Sequence, residues 1–323
     1  MGRGRHLGEL RMSFTIQKDN GVADDDHSVK RPFGCTLLVL TLSAFAVAAD
    51  AGYVVHKRVS EVRLTLVATD STGRPWQGLS ASNLAISDEG RAIPDFQIRV
   101  ANDLPLRVGV LLDLSDSTAK TWPAVRMALA ESMSGLMQPG DEILMTTFSN
   151  RVQEQNVVGR PEDLNESLHS SPGGLTALYD SLYITFGHPV FSEGSEPRRS
   201  AIILFSDGED TLSCRGMSDA LEAAQRRGIA IYTISTHKPS LPQTGDSVLH
   251  YLASSTGGRD FVVKDQAGLR NALQSIHDEL RNSYLLYYRP AEGGKTGFRH
   301  VLVLPAQSAN LHLRTRAGYY PEP

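Results

Sequence analysis

Four short apolar runs limit what this chain of 323 residues can fold into. "LRVGVLLD" at 106–113, "EILMTTFS" at 142–149, "SAIILFSD" at 200–207 and "IAIYTIST" at 229–236 are apolar almost without interruption. That pattern marks parallel strands buried on both faces, because a strand open to water on one side alternates instead. Helical periodicity lies between and after them. Trp122, Val125, Leu129, Met133 and Leu136 recur at spacings of three and four, with Pro123 in the first turn where a proline is tolerated, and Leu269, Leu273, Ile276 and Leu280 repeat the spacing. Strand alternating with helix predicts a doubly wound, mainly parallel α/β sheet over residues 105–282. Ligands of such sheets bind beyond the carboxyl ends of the strands, where the strand order reverses.

The flanks follow a different rule. "SEVRLTLVATD" alternates Val62, Leu64, Leu66 and Ala68 against Glu61, Arg63 and Thr65, the period of two of a half-buried strand. "LAISDEGRAIPDFQIRV" holds strand residues on either side of the Asp88-Glu89-Gly90 turn and a second alternating run, Phe96, Ile98 and Val100. Residues 54–104 therefore form a small β module. After Ser283 come "YLLYYRP", "FRHVLVLP" and "ANLHLRTRAGYY", whose short connections predict three antiparallel strands over 283–323. Each flank alone is marginal as a folded unit, so the two are expected to meet in one β subdomain beside the α/β domain. Tyr284, Tyr287, Tyr288, Tyr319 and Tyr320 are read as its packing residues, and His300 and His312 as surface positions on its strands.

Address is written near the N-terminus. A polar leader, 1–31, precedes the uncharged run "PFGCTLLVLTLSAFAVAA", which ends in small residues able to form an A-x-A cleavage site at Ala46-Val47-Ala48. Residues 32–53 are thus expected to be a signal peptide or a single-pass membrane anchor, and either one puts the rest of the chain outside the cytoplasm: secreted, periplasmic or anchored. "DDD" at 24–26 makes the leader unlike a compact basic n-region, and Met12 is an alternative start. A net charge of −4 leaves no electrostatic footprint for nucleic acid, which is not expected as a partner. Two cysteines, Cys35 and Cys214, supply neither a disulfide framework nor a zinc site.

Candidate site residues gather at predicted strand ends. Asp113, Ser115 and Ser117 form D-x-S-x-S after the first buried run, "GGLTALYDS" places Thr176 at the start of a helix, and "LFSDGED" places Asp207 after another buried strand. Three hydroxyls and two carboxylates are hard oxygen donors suited to Mg²⁺ or Mn²⁺, with positions left for outside ligands. Taken singly, each residue reads better as a helix cap, and only the five in order, in this fold, read as a metal site. Glu209 and Asp210 read as solvated turn residues.

In these segments the chain resembles the von Willebrand factor A domain family, whose metal-ion-dependent adhesion site combines D-x-S-x-S, a later Thr and an Asp in an S-D-G-like turn. The resemblance implies an adhesion or scaffold module without enzymatic activity, in which Asp113, Ser115, Ser117, Thr176 and Asp207 hold Mg²⁺ or Mn²⁺ and an acidic side chain of a protein partner completes the site. "TDSTGRPWQGLSASNLAISDEG", "GGLTALYDSL", "LFSDGEDTLS", "STGGRDF", "IHDELRNSYLLYYRP" and "RAGYY" further resemble bacterial VWFA-related proteins of the Acidobacteria type. One position departs from the pattern: many members carry Gly between the two serines, where this chain has Asp116. Two other readings compete. "DLSDST" resembles the D-x-D-x-T loop of haloacid-dehalogenase-like phosphatases, a metal-assisted hydrolase, although Ser115 stands where the second acid belongs. The other is a scaffold whose metal is structural. No G-x-S-x-G elbow, P-loop or G-x-G-x-x-G is present.

Overall fold

The computed structural model describes residues 61–136, 138–158, 171–192, 198–235, 244–290, 297–306 and 310–321. Every described residue belongs to one compact unit, 57–323. The predicted leader and the signal or anchor segment lie outside the described residues. Among the described residues, no helix is long and apolar enough to cross a membrane.

A small all-β lobe is built from both ends of the unit. The N-terminal flank supplies β1 (Val62–Thr69), β2 (Leu84–Asp88), β3 (Arg91–Ala92) and β4 (Phe96–Val100). From the C-terminal flank come β11 (Tyr284–Tyr288), β12 (Arg299–Pro305), β13 (His312–Arg314) and β14 (Gly318–Tyr319). They form two four-stranded sheets, β13-β1-β11-β4 and β14-β12-β2-β3, so each sheet draws on both flanks. β1 pairs antiparallel with β11, with Val62 opposite Tyr288 and Leu66 opposite Tyr284. Between the sheets Val62, Leu64, Leu66, Ile86, Tyr284, Leu286, Val301 and Val303 share one buried core. The expected alternation holds, since Glu61 and Arg63 face out while Val62, Leu64 and Leu66 are buried.

One expectation differs in detail. β11 and β12 do not pair with each other but enter opposite sheets, each antiparallel to an N-terminal strand. Their apolar faces are covered on both sides only when the two sheets stack, and a simple three-stranded meander would have left one face bare. The Asp88-Glu89-Gly90 turn is a tight β2–β3 hairpin with positive φ at Glu89 (49°) and Gly90 (77°), the conformation a two-residue hairpin loop requires.

The α/β domain lies between the flanks in sequence. Its strands are β5 (Leu106–Asp113), β6 (Glu142–Phe148), β7 (Val152–Val158), β8 (Arg199–Ser206), β9 (Ala230–Ser235) and β10 (Asp260–Val262). They form one sheet in the order β10-β9-β8-β5-β6-β7, parallel except for the antiparallel edge strand β7. β7 was not foreseen, because "VQEQNVV" is polar and edge strands need no continuous apolar run. Helices α1 (Trp122–Leu136) and α5 (Gln266–Arg281) cover one face, burying Val125, Leu129, Leu269, Leu273 and Ile276 against Val110, Leu112 and Ile203. On the other face α2 (Leu178–Phe186), α3 (Met217–Arg226) and α4 (Thr244–Thr256) bury Leu178, Leu182, Ala220, Ala224 and Leu252 against Leu111, Ile202 and Ile231. Consecutive residues of β5 therefore feed opposite cores, which explains why the run had to be apolar throughout. The chain winds outward from β5 in both directions, so the order reverses between β5 and β8. Their carboxyl ends open the crevice in which doubly wound sheets bind ligands.

Candidate metal centre

Asp113 is the last residue of β5, and it is 4% exposed. Its two oxygens are used differently. Oδ1 accepts from the Ser115 backbone N–H at 2.9 Å, bending the loop back on the strand end. Oδ2 accepts from the Ser206 hydroxyl at 2.7 Å, a bond that crosses the switch point from β8 to β5. Ser115 is buried and its Oγ lies 3.1 Å from that of Ser117, which is exposed at the mouth. Thr118 closes the turn by donating its hydroxyl to the carbonyls of Asp113 (2.6 Å) and Ser115 (3.0 Å).

The other two residues are brought in by their loops. Thr176 stands two residues before α2 rather than in it, 4% exposed. Its segment is tied to the first loop by Asp116 N–H to Gly174 O (3.0 Å) and Gly173 N–H to Leu114 O (2.7 Å). Gly174 has φ of 97°, and a Cβ there would come within 2.5 Å of Asn150 Oδ1, the atom that accepts from Leu175 N–H. The Thr176 segment is also tied to the loop after β8: Thr176 N–H donates to Thr211 Oγ1 at 2.9 Å, and Thr176 O accepts from the N–H groups of Thr211 and Leu212. Asp207, 5% exposed, follows β8 directly and accepts from Glu209 N–H at 3.1 Å. Gly208 holds this loop against α4, since at its φ of 80° a Cβ would meet Gly245 O at 2.2 Å.

Burial and the neighbouring Asp207 carboxylate push the Asp113 carboxyl up to about 6, against the hydrogen bonds from Ser206 and Ser115 that pull it down; burial is the largest of these effects. Among the described residues, neither Asp113 nor Asp207 is paired with a cationic side chain, and no group of three His, Cys, Asp or Glu side chains could hold a metal. Buried carboxylates are expensive to ionise unless a cation compensates them. Two such groups beside hydroxyl oxygens make a donor set that fits a hard divalent ion.

Sequence position at one strand end and motif at the next converge on one crevice of the expected sheet. The α/β domain is a doubly wound, mainly parallel sheet with Asp113 and Asp207 at the ends of the two strands that flank its switch point. No family model matches the sequence, and no curated protein matches it. Solved structures overlap it partially. An aerotolerance-related membrane protein from Bacteroides fragilis is 17% identical, covering 54% of this chain and 98% of that one at a TM-score of 0.43. Proximal thread matrix protein 1 from the mussel byssus, solved with a zinc-occupied MIDAS motif, is 16% identical over 60% of this chain and 49% of its own, with a TM-score of 0.47. A von Willebrand factor type A protein from Catenulispora acidiphila is 9% identical, covering 82% and 75% of the two chains at a TM-score of 0.44.

Other residues of the α/β domain take roles that the sequence did not announce. Ser206 contributes the bond that joins the two strand ends, and its only local signal is its place before Asp207 in "FSDG". Asp210, read as a solvated turn residue, instead caps α2: its Oδ1 accepts from Leu178 N–H at 2.8 Å and from the Ser213 hydroxyl at 2.6 Å. Glu209 is exposed. Asp116 is also exposed at the mouth, its Oδ1 3.8 Å from where a Cβ on Gly173 would stand. Cys214 is a free, exposed thiol.

Proposed function

We propose that this chain is a metal-dependent protein-binding module, of adhesion or scaffold type, that acts outside the cytoplasm and captures an acidic side chain of a protein partner. The observation that carries the reading is the pair of buried carboxylates, Asp113 and Asp207, without a cationic partner among the described residues at the switch point of the sheet. Ser115, Ser117 and Thr176 would hold Mg²⁺ or Mn²⁺ through their hydroxyls, with Asp113 and Asp207 acting directly or through water. A bound divalent ion supplies a positive centre that accepts one further carboxylate from outside. The residues of the chain position that centre. Ser206 and the Ser115 N–H orient Asp113, Thr211 fixes the Thr176 backbone, and the exposed Ser117 marks the side from which a partner approaches. The site is read as non-catalytic, since the constellation offers ligands without a nucleophile and general base in mutual reach. Nucleic acid has no place in this reading.

Metal binding is tested by melting the EDTA-treated protein with and without saturating Mg²⁺ or Mn²⁺. An ion that binds only the folded state raises Tm, and an unchanged Tm for both ions removes the reading. Thr176→Ala then separates the two module types: it abolishes EDTA-sensitive partner capture if the metal contacts the partner, and leaves capture intact if the metal is structural. Export is tested by fusing residues 1–60 to a reporter active only outside the cytoplasm. A reporter that stays inactive from both Met1 and Met12 refutes the address.

A further inference from the structure

At the opposite end of the α/β domain from the candidate metal centre, where the sheet strands begin, a cleft of about 490 Å³ opens between that domain and the β lobe. Its walls are unlike the rest of the chain. Seven arginines and two glutamates line it, with no aspartate or lysine, in a protein whose formal net charge is −4. Arg63 comes from β1, Arg107 and Arg199 from β5 and β8, Arg226 and Arg227 from the end of α3, and Arg316 from the turn before β14; Arg198 immediately precedes β8.

Four of the seven meet a carboxylate, Arg226 most closely, 2.7 Å from Glu222 with both side chains about half exposed. Arg199 donates only to neutral oxygens: the carbonyls of Leu280 and Leu104 and the Ser283 hydroxyl. Arg316 likewise spends its guanidinium on the carbonyls of Gln225 (2.6 Å) and Arg63 (2.9 Å), joining the end of α3 to β1. Arg107 and Arg198 share the single carboxylate of Glu142, at 3.0 and 3.7 Å. Glu279, one of the two acids in the lining, is already held by Arg259 and Arg314. Arg227, exposed at the C-terminal cap of α3, has no acidic partner among the described residues. Arg63 meets Glu61 only loosely, at 3.7 Å with both side chains about half exposed. Burial draws the Arg199 and Arg316 guanidinium groups down to about 10, with Arg281 adding to the effect at Arg199 and Asp141 and Asp103 opposing it.

We infer that this cleft binds a small, multiply charged phosphate-bearing anion, held between Arg63 of the β lobe and Arg198, Arg226 and Arg227 of the α/β domain. Guanidinium groups match tetrahedral oxyanions through paired N–H donors, and several converging on one anion give both affinity and geometric choice. Arg226 is already stacked 4.0 Å over the Tyr320 ring, which leaves an aromatic wall beside the charges for the organic part of such a ligand. Because both lobes supply ligating groups, the anion also clamps one lobe to the other. Arg199 and Arg316 are positioning residues here, since their terminal N–H groups are directed to backbone carbonyls and, for Arg199, to the Ser283 hydroxyl.

The probe is inorganic pyrophosphate, titrated calorimetrically into the EDTA-treated protein at low ionic strength, with glycerol phosphate and anionic phospholipid vesicles as parallel arms. Saturable pyrophosphate binding is expected, weakened by added NaCl and weakened about tenfold or more by the double substitution Arg198→Ala/Arg227→Ala. Beyond saturable pyrophosphate binding, added binding to glycerol phosphate assigns a free metabolite, and added binding to vesicles assigns a lipid headgroup. Asp113→Ala should leave pyrophosphate binding intact, which separates this site from the metal centre. Absence of saturation, or affinity unchanged in the double variant when its far-UV circular dichroism matches wild type, overturns the inference. Charge reversal at the exposed Arg227 alone, Arg227→Glu, is the second test should the double variant fail to fold, and it too must weaken binding.

Discussion

Replacing Asp113 by Asn should make the metal-free protein more stable at neutral pH while destroying its response to metal. Asp113 is 4% exposed, and its carboxyl is pushed from 3.8 up to about 6 by burial and by Asp207. Between those two values the folded state holds a proton that the unfolded chain has released, so stability falls as pH rises through the window from about 4 to about 6 and stays lowered above it. Roughly two units at 1.36 kcal/mol each make the ionised carboxylate about 3 kcal/mol more costly in the folded state than in the unfolded chain. Asn removes that cost and keeps the shape. Its Oδ1 can still accept from Ser115 N–H, and its amide can donate to Ser206 Oγ, which already accepts from Gly208 N–H. The hydrogen bonds from Ser206 and Ser115 are already contained in that shift, so the expected gain is about 3 kcal/mol. For a unit of this size that corresponds to a Tm rise of roughly 8 °C. The assay is thermal melting in EDTA at several pH values. Wild type and Asp113→Asn should differ little at pH 4, diverge by pH 6 and hold a constant gap above it; saturating Mg²⁺ should then raise wild type alone. A gap of equal size at pH 4 and pH 7.5, or a less stable Asn variant at pH 7.5, refutes the idea that buried, uncompensated charge is what this site holds in readiness for a cation.

Asp116→Gly should change metal affinity by less than about threefold, because the side chain is exposed and its charge is screened, and calorimetric titration checks it; a tenfold tightening would mean instead that the aspartate strains the loop. Gly208→Ala should abolish the metal-induced rise in Tm while leaving far-UV circular dichroism unchanged, since a Cβ 2.2 Å from Gly245 O must displace the Asp207 loop. In the β lobe, Asp88 is buried and accepts from Tyr288 and Tyr319 hydroxyls at 3.0 and 2.8 Å and from Arg299 Nε at 3.0 Å. Asp88→Ala strands Arg299 in the lobe interior, and urea unfolding should show a loss of about 3–5 kcal/mol; a loss below about 1 kcal/mol would show that the network is dispensable.

The parts of this protein legible without a structure are those written in local patterns. Continuous apolarity over 108–112 and 201–205 announces strands covered on both faces, because Val108, Val110 and Leu112 of β5 enter one core and Leu111 the other. Alternation over 62–68 announces a strand covered on one. The spacing Asp113, Ser115, Ser117 places oxygen donors at a strand end, since a loop leaving a buried strand is the first place where polar side chains can reach water or a ligand. What the sequence could not settle are partnerships between distant segments. That β1 lies against β11, with Val62 opposite Tyr288, and that β11 and β12 part into different sheets, depends on which pairings bury both apolar faces together. The bond from Ser206 to Asp113, and the capping of α2 by Asp210, exist only because the β5–β8 switch point brings segments about 90 and 30 residues apart into contact. The arginine cleft is the clearest case. Arg63, Arg198, Arg227 and Arg316 sit in unremarkable surroundings along the chain, and only the packing of a lobe made from both flanks against the start of the central sheet concentrates their charge in one place, where low local dielectric and the shortage of carboxylates give it a use.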